Sequence, residues 1–72
     1  MQIRVEYKIY EERRRKKMSL RDLAEKSGIS KSQISRIENG EMHPTVYTLC
    51  LIAIALEESP YKLFQVSLIR DK

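Results

Sequence analysis

The residues best suited to chemistry crowd one stretch, Lys31-Ser32-Gln33-Ile34-Ser35-Arg36-Ile37-Glu38-Asn39. On a helix turning ~100° per residue, Ile34 and Ile37 set the inward direction. Ser32 and Asn39 then lie almost opposite, Ser35 and Arg36 lie well outside, and Lys31 and Gln33 flank the N-terminal end. That outward face carries no acid and consists of hydrogen-bonding side chains. On the floor of a major groove, Arg forks onto guanine, Gln onto adenine, and Ser donates or accepts. An ordinary solvated helix face has a similar composition, so the reading needs support from the surrounding chain.

Other chemistries have less behind them. His43 and Cys50 are the single His and single Cys. Together they fall short of the usual ligand set of a metal site. One Cys makes no intrachain disulfide, which fits a reducing cytoplasm. A Ser-His-Asp or Cys-His pairing has no accompanying signature, and no phosphate loop is present. Neither an enzyme nor a cofactor is expected. Cys50, in an apolar run, is expected to be a small buried hydrophobe. His43 reads as a surface loop residue, with a phosphate contact as its functional alternative. The aromatic residues are scattered rather than arrayed as a stacking platform, which disfavours an RNA target.

With 72 residues, the chain is expected to form a single domain over 1–72, with a thin core and no deep cleft. The longest apolar run, Leu49 to Leu56, is eight residues, well short of a membrane span. Met1 is followed by polar and charged residues, unlike a secretory signal. A cytoplasmic protein without a membrane partner is expected. The net charge is +4, and its whole excess lies in residues 1–44, with 11 Lys/Arg against 7 Asp/Glu; residues 45–72 carry 3 of each. A one-sided positive field fits a polyanion.

The elements that must position these residues arise from local signals. Ile3, Val5, Tyr7 and Ile9 alternate with polar residues at strand period, while Val5, Ile9 and Arg13 also keep helical spacing. We read a short extended arm over roughly 2–6 and a first helix over roughly 7–17. Ser19 caps a second helix with Asp22 as its capping-box partner, and Leu20, Leu23 and Ala24 form its apolar face. It stops at Ser27-Gly28. Ser30 to Gln33 form another capping box, opening a third helix that ends at Asn39-Gly40. Thr45 caps a fourth helix, through about Leu56, apolar on nearly every side and so either central or covered by a partner. Ser59-Pro60 predicts the start of a short fifth helix carrying Leu63 and Phe64. The tail Val66 to Ile69, and residues 66–70 generally, read as strand or loop.

Two short helices joined by a Gly-containing turn, over about 19–39, are a helix-turn-helix signature. The string Leu23-Ala24-Glu25-Lys26-Ser27-Gly28-Ile29-Ser30-Lys31-Ser32-Gln33-Ile34-Ser35-Arg36-Ile37-Glu38-Asn39-Gly40, continued by Pro44-Thr45, Thr48-Leu49 and Ile52-Ala53, resembles the lambda-repressor-like helix-turn-helix family of the Cro and repressor type. The resemblance covers residues 9–64. It implies an all-α, five-helix domain that binds double-stranded operator DNA, usually as a dimer. It implies base contacts from Lys31, Ser32 and Arg36. It places Gln33 and Asn39 at positions that commonly touch phosphate, and Ser35 sits beside them as a base or phosphate contact. Leu20 stands where the family often has a phosphate-binding Gln, so that contact weakens or moves to Arg21 or Ser19. Within the basic run Arg13 to Lys17, Arg13 follows Ile9 by four and turns partly inward, and the family commonly pairs such an Arg with the Glu at Glu38. The rest of the run is solvated, with Lys17 a phosphate candidate.

Tyr47, Leu51, Ile54 and the tail Val66 to Ile69 exceed what so small a core covers, so a homodimer is expected. The leading expectation is a sequence-specific transcriptional regulator, a dimeric repressor on inverted repeats. The alternative is an antitoxin or another interaction module of the same fold, its apolar fourth helix covered by a partner protein.

Overall fold

The computed structural model describes residues 1–70. In chain order it has β1 (Gln2–Tyr7), α1 (Ile9–Arg15), α2 (Leu20–Ser27), α3 (Lys31–Glu38), α4 (Val46–Leu56), one 3-10 turn (Pro60–Lys62) and β2 (Phe64–Ile69). Ser19, Ser30 and Thr45 each precede a helix, and each hydroxyl accepts a backbone N–H from three residues on, at 3.0–3.1 Å. The box at Ser19 is complete, because its own N–H donates to Asp22 Oδ2 at 2.9 Å. At Ser30 only the forward half forms, which leaves the Gln33 amide free of the cap.

The helix C-termini close on left-handed residues. Lys17, Gly40 and Glu57 have φ of 56°, 76° and 57°. Behind them the Met18, Glu41 and Glu58 N–H groups reach back to the carbonyls of Arg13, Arg36 and Ala53. These paired closures satisfy carbonyls that the helix end leaves open. They also end α1 at Arg15, two residues before the expected boundary.

The core is one cluster: Ile9, Leu23, Ile34, Ile37, Leu49, Ile52, Ala53, Leu56 and Leu63. Helix α4 supplies four of these at i, i+3, i+4 and i+7, so only one stripe of this nearly all-apolar helix is buried. Val46, Tyr47 and Ile54 remain largely exposed, and Cys50 is half-buried rather than sealed in the core.

The all-α, five-helix expectation is overturned. β1 and β2 form a two-stranded antiparallel sheet in continuous register from Gln2↔Ile69 to Tyr7↔Phe64. Ser59 does cap, accepting Tyr61 N–H at 3.2 Å. It opens only a single 3-10 turn, because the chain from Phe64 onward is taken by β1. The Leu63 carbonyl accepts the Lys8 N–H at 2.7 Å, joining the foot of the sheet to the core. So the 2–6 arm is a strand with a partner, and the tail that read as strand or loop is that partner.

One polar link joins α1 to the end of α3. Arg13 Nε and Nη2 donate to the two carboxylate oxygens of Glu38 at 2.9 and 3.1 Å, and Nη1 donates to the Met18 carbonyl at 3.1 Å. The two side chains are only 10% and 8% exposed. The Glu38 hydrogen bonds raise the Arg13 pKa further, against the opposing effect of burial, so the guanidinium stays charged.

Two measurements check the ion pair and the helix ends. Arg13→Ala and Glu38→Ala should each cost about 3 kcal/mol in denaturant melts, because each leaves the other charge buried without its partner. Parent-like stability in both variants would show that the pair contributes nothing. Glu57→Gly should raise stability by about 1 kcal/mol, since it relieves an L-residue held in the left-handed region. A lower melting temperature in that variant would contradict the strain at α4's end.

Candidate nucleic-acid interface

The α2–α3 turn is built by backbone needs. Gly28 takes φ 78°, a conformation that L side chains rarely adopt, and its N–H closes α2 on the Ala24 carbonyl at 2.9 Å. The buried Ser27 accepts the Ile29 N–H at 3.1 Å, and Ala24 and Ile29 both pack against the core. Ser30 then caps α3, which Ile34 and Ile37 press inward, both fully buried.

The opposite side of α3 is open. Lys31, Ser32, Arg36 and Asn39 are exposed, while Gln33 and Ser35 are half-buried. None of these six side chains has a hydrogen-bond or ion-pair partner among the described residues. An unpartnered, acid-free row of donors on one helix face is chemically able to take up acceptors from outside, such as base edges and phosphate oxygens. Gln33 and Ser35, shaded by neighbouring elements, have less reach than their helical positions alone imply.

The flanking candidates divide. Lys17 and Arg21 are exposed at the α1–α2 junction and have neither an ion pair nor a side-chain hydrogen bond among the described residues. Ser19 Oγ accepts the Asp22 N–H, so its hydroxyl is already committed to the cap of α2. The Ser19 N–H, with its hydroxyl in support, holds the Asp22 carboxyl below its ordinary pKa. His43 is exposed but engaged. Its Nδ1 and the Tyr7 hydroxyl share a 2.7 Å hydrogen bond, with ring centroids 5.7 Å apart. Burial pushes the Tyr7 phenol up from its ordinary pKa. His43 therefore braces its loop against β1 and offers only its other ring nitrogen outward.

The basic run is largely neutralised within the fold. Arg13 is paired with Glu38, Arg14 donates to the Tyr10 hydroxyl at 2.9 Å, and Arg15 bonds Glu12 at 2.6 Å as well as Glu58. Lys16 and Lys62 stand 3.6 and 3.8 Å from Glu58. Burial raises the Glu58 pKa, but Lys62, Arg15 and Lys16 outweigh it and hold the carboxyl below its ordinary value. Sequence reasoning missed Glu58 as this hub and missed the Tyr7–His43 bond. Both join residues 36 or more apart in the chain, where no local spacing signals them. The Tyr10–Arg14 contact, by contrast, lies within α1 at i, i+4 spacing, a signal the sequence carries locally although the reading from sequence did not use it.

Among the described residues no group of His, Cys, Asp and Glu is arranged to hold a metal ion. No helix among the described residues is long and apolar enough to cross a membrane.

The helix-turn-helix family model HTH_3 matches residues 9–63, which runs from the first residue of α1 to the buried Leu63. An HTH_3 family transcriptional regulator from Vibrio cholerae is similar in structure, with a TM-score of 0.72 and 38% sequence identity. The alignment covers 74% of this chain and 30% of that one, so this chain spans less than a third of that protein's length. No curated protein matches. With the match extending over the four helices and the core they enclose, the chain belongs to the HTH_3 helix-turn-helix family.

Proposed function

We propose that this chain is a sequence-specific DNA-binding transcriptional regulator that lays α3 in the major groove. The observation that carries the reading is the outward face of α3, where six polar side chains stand without partners while the cations behind them are neutralised internally. In the proposed complex Lys31, Ser32 and Arg36 read base edges. Gln33, Ser35 and Asn39 serve bases or phosphates at its margin, and Lys17, Ser19, Arg21 and the free nitrogen of His43 serve the backbone. Its similarity to a transcriptional regulator supports the same reading. Action by occupancy of a promoter, as a cytoplasmic repressor, needs no catalytic group or cofactor. A two-fold dimer presents two such helices to inverted half-sites.

A second reading has its own support. Val46, Tyr47 and Ile54 are apolar and between 73% and 79% exposed on α4, a surface that fits an antitoxin-like module covered by another protein.

Selection of bound sites from random duplex DNA at fixed salt tests the leading reading. It should yield inverted repeats with half-site centres one helical turn, ~34 Å, apart. Recovery of no preferred sequence would favour the interaction module. On the selected site Arg36→Ala should cost about 1–3 kcal/mol and relax preference at one base position. Lys17→Ala should weaken selected and scrambled sites alike and lower the salt slope by about one unit or less. Equal losses on both sites for Arg36→Ala would make Arg36 a phosphate contact.

A further inference from the structure

The two-stranded sheet lies outside the family match, which ends at residue 63. Its faces are sharply unlike. Ile3, Val5 and Tyr7 share one face with their cross-strand neighbours Leu68, Val66 and Phe64. The other face carries Gln2, Arg4 and Glu6 opposite Ile69, Ser67 and Gln65. Ile3 is 68% and Leu68 62% exposed, a large apolar exposure for so small a chain. With only two strands, each has one edge whose backbone N–H and C=O groups have no ladder partner. Two devices that usually blunt such an edge are absent from β1: its six residues run in unbroken register with no proline and no bulge.

β1 does carry charge, in a pattern that complements itself. Arg4 and Glu6 sit two apart on the same face, both are exposed, and neither has an ion-pair partner among the described residues. Their cross-strand neighbours Ser67 and Gln65 are neutral. In an antiparallel pair, residues directly opposite share a face, so a second β1 must align in a register that keeps apolar with apolar. Registers centred on Arg4 or on Glu6 do so but set like charges opposite each other. The register centred on Val5 sets Arg4 opposite Glu6 twice, by symmetry, with Val5 against Val5 and Ile3 against Tyr7.

We infer that two copies of this chain join by antiparallel pairing of β1 with β1 about a two-fold axis at Val5. The result is a four-stranded sheet, β2-β1-β1-β2, in which Arg4 faces Glu6 of the partner subunit. Its apolar face gains three continuous rows, each of four side chains. In two of them the exposed Ile3 of one copy lies beside the half-buried Tyr7 of the other. The inference rests on the dimer proposed above and names its interface. The sequence-based expectation drew the interface from Tyr47, Leu51, Ile54 and the tail Val66 to Ile69; this one keeps the tail as the outer strand and puts β1, which that expectation left out, on the axis.

Sedimentation equilibrium on the full chain tests it, with Arg4→Glu, Glu6→Arg and the double exchange Arg4→Glu/Glu6→Arg. Each single reversal turns two attractive pairs into repulsive ones and should weaken the dimer by about tenfold or more. The double exchange restores both pairs and should return the parent affinity. Thermal melts report whether each variant is folded, and the rescue by the double exchange separates pairing from misfolding. A dimer as tight as the parent in both single variants, or no rescue in the double, overturns this interface and leaves the dimer itself standing. A parent chain that sediments as a monomer overturns both the interface and the dimer. Binding to a single half-site, unchanged in all variants, keeps the DNA reading independent of either outcome.

Discussion

A short helix has no stable direction of its own. Eight residues, the length of α3, are too few to hold helical structure in water without tertiary support. Ile34 and Ile37 bury its inner face, and apolar contacts are tolerant of rotation. The Arg13 fork is not. Its planar donors meet both oxygens of Glu38 and the carbonyl of Met18, so the last residue of α3 is tied to α1 and to the turn that ends α1. Burying that guanidinium carries a desolvation cost, which three hydrogen bonds offset. The return is angular: the outward face of α3 is held in one orientation relative to the rest of the core.

The distribution of charge changes meaning once the fold is known. Arg13 to Lys17 is the densest cationic segment of the sequence. In the structure Glu38, Glu12 and Glu58 absorb most of it, and Tyr10 takes the Arg14 guanidinium. Those exposed pairs add little stability individually. They do remove the run from competition for a polyanion, while Lys31, Arg36, Lys17 and Arg21 have no ion pair among the described residues. A positive field generated by a few free cations near one helix is directional in a way that net charge is not.

The sheet is a different kind of element from the helices. It contributes no residue to the buried core of a molecule 44 Å long and 21 by 20 Å across. A two-stranded sheet is marginal alone in water. Here its foot is fastened by the Lys8–Leu63 backbone bond and by the Tyr7–His43 contact, while its far end exposes apolar side chains. That combination of an anchored base, an apolar face and an open edge is what the proposed pairing of two chains rests on.

By itself the sequence determined whatever chemistry acts within about one helical turn. Ser19, Ser30 and Thr45 as caps, Gly28 as the turn, Asn39-Gly40 as the stop and the inward stripe of α3 were all legible, because a cap or a left-handed glycine needs only its near neighbours. The exposed positions of Lys31, Ser32 and Arg36 came from that periodicity. The half-burial of Gln33 and Ser35 did not, because it depends on elements packed alongside. Tertiary structure decided what both ends become: the 2–6 arm a paired strand, and the strand-or-loop tail its partner. Residues 2–7 carried both periods, and the cap at Ser59 was a sound local signal for a fifth helix. The choice came from pairing Gln2–Tyr7 with Phe64–Ile69 across nearly the whole chain. A strand's hydrogen bonds lie wholly outside its own segment, so the alternation at residues 3–9 suggests extended chain but does not name the partner that completes it.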